Sequence, residues 1–366
     1  MIAHPRLPPL ADTLGWLLPD AQDTLLLQAC LGDAPAASDA WDAWLAMAEG
    51  MPNALAERPR SRRFLPLLHH ALIVHGVALA EPALSILRAA SLWEERRATR
   101  IRAILVEALA SLQRAGVAVV LLKGAALAET AYPQFQLRHC HDLDLLVEGA
   151  ALPVAGEALS AAGFQTAASA GGRMPGRSLV MKHADGLPVN LHTRLWATSV
   201  RGDPEAVFLR RVRVIDIGGE RATILAPADM LLHVCGHAGF GAGPGNWTWI
   251  ADAAMIQHRH QPTAEDWAGL VRTAAEIGIA LPLAARFGYL AARIGLPIPP
   301  AALNALTGAA CRSSRSERDA AISATRAASG VAFIAMLRRS GWRSRLDLAR
   351  WALRRSPRFA RRWLVT

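Results

Sequence analysis

Two aspartates one residue apart, Asp142 and Asp144, are the side chains whose type and spacing most directly imply chemistry. They lie in the run VVLLKGAALAETAYPQFQLRHCHDLDLLVE, residues 119–148. Strand side chains alternate faces, so both carboxylates project from one face while Leu143 and Leu145 project from the other. Paired oxygen ligands at the start of a strand suit a hard divalent cation, Mg2+ or Mn2+. A glycine turn nearby lets the main-chain amides of Gly124 and Ala125 approach a phosphate at the start of a short helix. Together these are the parts needed to hold a metal and a nucleoside triphosphate; a solvated D-x-D at a strand start is the plain alternative. Lys123 either reaches the triphosphate or is a surface lysine before a turn. Arg138, four residues before Asp142, suits a phosphate contact or a buried salt bridge to one of the two aspartates.

The elements that must position these groups read as a strand at 119–124 ending in the glycine turn, a short helix at 125–131, a polar loop, and a second strand carrying Asp142 and Asp144. A helix at 150–162 follows and closes at Gly163, where a missing Cβ permits a left-handed cap. A strand is expected at 164–168. Segments 179–183 and 188–196 flank an Asp185-Gly186 turn signal and predict a hairpin; 212–217 and 222–225, joined through Gly218 and Gly219, predict another. Within the first hairpin, Asn190 and His192 share a face by the two-residue period. His183 and His192 are candidates for acceptor contact or proton transfer, with ordinary structural histidines as the alternative. The loop at 171–176, with Arg173 and Arg177, is placed on the opposite wall of the cleft.

Helices flank this mixed segment on both sides. The apolar spacing predicts helices at 20–30, 38–49, 62–75, 80–87 and 94–113, short pieces packed as a bundle, with Trp41 and Trp44 on one core-facing stripe. The last of these backs the sheet. His69, His70 and His75 read as structural or surface residues. Beyond Pro227, helices are expected at 228–238, 247–260, 265–292 and 300–310. His233 and His237 sit four apart on one face, a spacing open to metal binding but better explained by packing. The resulting division is 1–112 (helical), 113–226 (mixed core) and 227–366 (helical, with a basic tail).

With 366 residues and 52% hydrophobic content the chain is expected to be globular with more than one subdomain. The N-terminal sequence has no continuous apolar stretch of the secretory kind, and no run of eighteen apolar residues occurs. Cys30, Cys140, Cys235 and Cys311 make neither a C-x-x-C nor a zinc spacing, so free thiols in a reducing cytoplasm are expected. The net charge is +10, and residues 311–366 hold 14 arginines against three acids, enough to account for all of it. Aromatics interleave with those arginines. A solvated basic face explains this best, with a nucleic-acid surface or an anionic membrane contact as alternatives.

The central run resembles the bacterial "uncharacterised nucleotidyltransferase" family of the nucleotidyltransferase (DNA polymerase beta-like) superfamily. The matching motifs are L-L-K-G-A (Leu121 to Ala125), Y-P (Tyr132, Pro133), L-R (Leu137, Arg138) and D-h-D-h-L-V (Asp142 to Val147). The resemblance implies an α+β fold in which a nucleotidyltransferase mixed-sheet core is flanked by N-terminal and C-terminal helical subdomains. It also implies transfer of a nucleoside monophosphate from an NTP, ATP first among them, to a small-molecule, peptide or protein acceptor with release of pyrophosphate. In the family a third carboxylate lies on the strand matching residues 189–196; here that position holds Asn190, which can offer one oxygen to a metal but cannot take a proton. His237, Trp249 and Asp252 match family positions expected beside the site. A nucleotide-binding regulatory or scaffold protein on the same fold, or another use of NTP such as phosphotransfer, are the competing functions.

Overall fold

The computed structural model describes residues 18–50, 55, 61–167, 178–196, 204–237, 247–314 and 317. The loops at 171–176, with Arg173 and Arg177, and at 239–245, and the arginine-rich segment from 318 onward, lie outside the described residues.

Helices α1 (Ala21–Leu31) and α2 (Ala34–Met47) each begin on an aspartate. Asp20 accepts from the Asp23 amide at 2.9 Å and Asp33 from the Ala36 amide at 3.1 Å, satisfying donors that a helix start leaves unpaired. Trp41 and Trp44 are buried with ring centroids 5.5 Å apart, the core role their spacing predicts. A 3-10 turn (Ser61–Phe64) leads into α3 (Leu65–Val74). The two helices expected at 80–87 and 94–113 are instead one helix of 32 residues, α4 (Ala83–Arg114). The joining segment RAASLW contains no glycine or proline, so nothing interrupts the backbone hydrogen bonds. Its Leu92 and Trp93 are exposed, which breaks the apolar period without breaking the helix.

The mixed segment comprises β1 (Val119–Leu122), α5 (Lys123–Thr130), β2 (Leu143–Val147), α6 (Leu152–Ala161), β3 (Gln165–Thr166), β4 (Ser178–Lys182), β5 (Pro188–His192), α7 (Pro204–Leu209), β6 (Arg213–Ile217) and β7 (Glu220–Ile224). Seven strands form one sheet in the order β3-β4-β5-β2-β1-β7-β6. β2 runs antiparallel to β1 but parallel to β5, and β1 runs parallel to β7, so the sheet is mixed. Both predicted hairpins form, as β4 with β5 and β6 with β7. Gly186, Gly218 and Gly219 take the positive φ values their turns require. α4 backs the sheet as expected: Ser111 donates to the Ala158 carbonyl at 2.8 Å, Gln113 to the Arg221 carbonyl at 2.6 Å, and Arg102 pairs with Glu129 at 2.6 Å.

Helices α8 (Pro227–His237), α9 (Thr248–His260), α10 (Ala264–Glu276), α11 (Ala280–Tyr289) and α12 (Pro300–Cys311) complete the described chain. The run expected at 265–292 divides where Gly278 adopts φ +79°, outside the helical region. Buried apolar side chains from Leu26 to Ala310 form one continuous cluster, so the helices on both sides and the sheet share a core. The fold is α+β, with a mixed sheet flanked by helices. Among the described residues no helix is long and apolar enough to cross a membrane.

One buried acid in this helical region sets a pH response. Asp229, in the first turn of α8, accepts from Arg211 at 2.7 Å through Oδ1, while its buried Oδ2 has no hydrogen-bond partner among the described residues. Burial, only partly offset by Arg211, holds its carboxyl at about 6, against roughly 3.9 in an unfolded chain. Between those values the folded protein binds more protons, so this group's stabilising contribution is complete below about 4 and is lost as pH rises through about 6. Asp229→Asn is expected to flatten the urea midpoint across pH 4–6, where the parent protein should lose stability as pH rises.

Candidate active site

Strand register assembles the site. Leu122 at the end of β1 pairs with Asp144, and Asp144 pairs with Asn190 on the other side, so three neighbouring strands present this row of residues together. His192 lies two residues beyond Asn190 and therefore on the same face. The leucines and valine of β2 are buried, and Asp144 is its one partly exposed residue. Asp142 immediately precedes the strand.

The side chains converge tightly. Asn190 Nδ2 donates to Asp142 Oδ2 at 2.9 Å and to Asp144 Oδ1 at 3.1 Å. His192 Nε2 lies 2.8 Å from Asp144 Oδ1, and Lys123 Nζ lies 3.1 Å from Asp144 Oδ2. His141, which sequence reasoning passed over, places Nε2 3.6 Å from Asp142 Oδ1. Asp144 is the more enclosed carboxylate, its side chain 11% exposed against 27% for Asp142.

The two acids are electrostatically unequal. Burial works to raise the Asp144 pKa, but the Lys123 ammonium and the His192 hydrogen bond overcome it and hold this carboxyl well below the usual range. Burial and then the neighbouring charge of Asp144 push Asp142 upward, against the pull of His141 and Lys123. Burial lowers His141, reinforced by Arg63 and Arg138 and opposed by Asp142. Asp144 is thus a fixed negative charge, and Asp142 a carboxylate raised by burial and by a like-charge neighbour that His141 and Lys123 offset only in part, a condition that a bound cation relieves.

The backbone before Asp144 differs from the expected glycine turn. The strand ends at Leu122, α5 starts at Lys123, and it is Lys123 that adopts the left-handed conformation, with φ +46°. A side-chain-bearing residue pays about 1–2 kcal/mol there, and the strained residue is the one whose ammonium meets Asp144. Gly124 serves a different need. A Cβ built on it would lie 3.3 Å from Cys140 Sγ and 3.4 Å from Arg138 Nη1, so its missing side chain makes room for the loop that carries Arg138.

Arg138 itself does not face the carboxylate pair. Its Nε and Nη2 donate to the two oxygens of Asp252 on α9 at 2.6 and 2.9 Å, and Nη1 donates to the His139 carbonyl. Tyr132 adds a third bond to Asp252 at 2.8 Å. The guanidinium expected at a phosphate or a site aspartate is therefore spent on a buried clamp between this loop and the C-terminal helices. The reason is geometric: Asp252 satisfies both forks of the guanidinium where water is excluded. A second anchor holds the same loop to α4, where Glu94 bonds Arg97 and His139, each at 2.8 Å, and Arg97 donates to the Cys140 carbonyl.

The other histidine candidates lie elsewhere. His183 faces Glu107 at 3.5 Å and Asp185 at 3.4 Å and packs edge-on against Phe164, away from the carboxylate pair. His233 is buried edge-on against Trp196, the packing role its helix predicts, and the His237 side chain lies outside the described residues. Trp249 is buried beneath the Arg286 guanidinium, 5.5 Å from the ring centre. Among the described residues no group of three or more His, Cys, Asp or Glu is arranged to hold a metal, so the carboxylate ligands on this face are the aspartate pair.

The sheet and the motif residues it brings together are matched by one family model, that of an uncharacterised nucleotidyltransferase, over residues 51–295. No curated protein matches the chain. The matched span includes β1 to β7 and the whole of the aspartate, lysine and arginine–aspartate constellation, about two thirds of the sequence, and the chain belongs to this uncharacterised nucleotidyltransferase family.

Proposed function

We propose that this protein is a metal-dependent nucleotidyltransferase that moves a nucleoside monophosphate from an NTP, ATP being the first to test, to a small-molecule, peptide or protein acceptor with release of pyrophosphate. The observation that carries this is the convergence of Asp142 and Asp144 on a single amide, beside Lys123 and the first turn of α5. Two adjacent carboxylates, completed by substrate phosphates and water, suit Mg2+ (or Mn2+). The fit is supported by Asp142, which burial and then the charge of Asp144 raise against the partial pull of His141 and Lys123. Asp142 and Asp144 would hold the cation, and Asn190 could add its neutral oxygen only after its amide turns over, since its nitrogen now faces both acids. A cation so held supplies polarisation of the α-phosphate and compensation of charge on the leaving pyrophosphate.

The chain's own residues supply the rest. Lys123, 3.1 Å from Asp144, could exchange that contact for a phosphate oxygen, and the first-turn amides of Gly124 and Ala125, which a helix start leaves without intrahelical partners, lie on the same end of α5. His192 turns Nε2 to Asp144, and with Nε2 as the donor of that bond Nδ1 is the ring nitrogen that could accept the acceptor's proton. Arg138 acts on the site through position rather than contact, holding the loop that ends in Asp142. The free thiols, with Cys30, Cys140 and Cys235 buried, support a reducing compartment such as the cytoplasm.

A second reading, a nucleotide-binding regulatory or scaffold protein with weakened catalysis, is favoured by one observation: Asn190 acts as a donor where the family places a carboxylate. Asn190→Asp separates the two. Three carboxylates without a cation repel, and two hydrogen bonds to charged acceptors are lost, each worth roughly 1.5–3 kcal/mol. The variant is expected to melt earlier than the parent in EDTA, to be rescued by Mg2+, and to release more pyrophosphate. A variant that Mg2+ does not stabilise and that stays silent in pyrophosphate release would favour the regulatory reading.

A further inference from the structure

A cluster of cationic groups lies beside the C-terminal half of α5. A cavity of about 330 Å3 opens between α5, the β6–β7 hairpin, α8 and α9. Arg213 comes from β6, while Arg259 and His260 come from the last turn of α9. The helix dipole accounts for basic residues at the end of α9, but not for an arginine from a separate strand meeting them at one cavity. None of the three makes an ion pair among the described residues. The one acid in the lining, Glu129, is already held by Arg102 at 2.6 Å. The floor is apolar, built from Leu127, Met230 and Ile256, with Thr130 as a neutral hydrogen-bonding group.

We propose that this cavity binds a small phosphomonoester, its phosphate held by Arg213, Arg259 and His260 and its apolar substituent laid on the Leu127–Met230–Ile256 floor. Two guanidinium forks and an imidazole match the several oxygens of a phosphate dianion, and the anion offsets the repulsion among them. Consistent with that repulsion, burial and the two arginines depress the proton affinity of His260. Glu129 faces the same space but is neutralised, so the cavity keeps a positive excess. A divalent cation does not suit a lining whose single carboxylate is already paired. This inference does not depend on nucleotidyl transfer at Asp142 and Asp144.

The test is calorimetry of the full-length protein in EDTA, which removes metal-dependent binding at the aspartate pair, with phenyl phosphate and inorganic phosphate as probes. Saturable binding of phenyl phosphate is expected, at least roughly tenfold tighter than inorganic phosphate because the ring buries apolar surface. Arg213→Ala with Arg259→Ala should weaken it by tenfold or more; both side chains are exposed, so the fold is retained. Asp142→Ala with Asp144→Ala should leave it unchanged, and the His260 ring resonance should titrate at higher pH when phenyl phosphate is bound. Absence of saturable binding, equal affinity for the two probes, or undiminished binding by the double arginine variant would overturn the proposal.

Discussion

Replacing Asp142 and Asp144 together with alanine is expected to abolish Mg2+-dependent NTP binding and to lower pyrophosphate release by at least about a thousandfold, the scale of a lost electrostatic centre at a reacting phosphate. The protein should stay folded. Removing Asp144 strips Lys123 and His192 of their carboxylate, which costs stability, but removing both acids also ends the burial cost and the mutual repulsion that together raise Asp142. Lys123 and His192 keep 18% and 22% of their side-chain surface open to water, so the remaining charge is hydrated rather than trapped. Asn190 Nδ2 also loses both of its charged acceptors, each bond worth roughly 1.5–3 kcal/mol, so the variant is expected to unfold at a lower temperature than the parent while remaining folded at room temperature. Calorimetry with Mg-ATP and thermal unfolding measure the two effects on the same sample. Equal Mg-ATP affinity in parent and variant would remove the aspartates from the site.

Arg138→Ala should act through stability instead, with a large loss. The pair is enclosed, with side chains 10% and 3% exposed for Arg138 and Asp252. Removing the guanidinium leaves the Asp252 carboxylate buried with, among the described residues, only the Tyr132 hydroxyl, and breaking a buried pair in this way costs about 3–5 kcal/mol. Arg138→Lys should recover little, since a lysine cannot reproduce two parallel bonds to one carboxylate. Tyr132→Phe removes a single bond and should cost less, about 1–3 kcal/mol. Urea unfolding gives all three values; a loss under 1 kcal/mol for Arg138→Ala would mean that the clamp does not hold the loop.

The parts of this molecule legible in its sequence are those fixed by local rules. Alternation placed Asp142 with Asp144 and Asn190 with His192 before any strand pairing was known, and the register then brought the two pairs within hydrogen-bond distance. The Asp185-Gly186 and Gly218-Gly219 turns fixed both hairpins. What escaped is non-local or depends on direction. The partner of Arg138 lies 114 residues away, and nothing in the spacing L-R…D-L-D distinguishes a guanidinium facing Asp142 from one facing α9. Gly124 invited a phosphate-facing turn because glycine has two uses, unusual φ and close approach, and here the second applies; the unusual φ fell to Lys123. His141 and the Glu94–His139 anchor carried a faint signal, the charged and imidazole-rich run R-H-C-H-D, whose crowding becomes meaningful once α4 is seen to pass beside it.

If the aspartate pair directs nucleotidyl transfer, the fate of the α-phosphate reveals it. The protein is incubated with Mg2+ or Mn2+, ATP labelled at the α-phosphate, and a cell extract as the source of acceptor, while pyrophosphate and inorganic phosphate are measured separately. Label carried into an acceptor, a matching nucleotide adduct by mass spectrometry and stoichiometric pyrophosphate are expected, with loss of all three in the variant carrying Asp142→Ala and Asp144→Ala. Release of inorganic phosphate with no labelled acceptor, or label transfer undiminished by the double substitution, would contradict it.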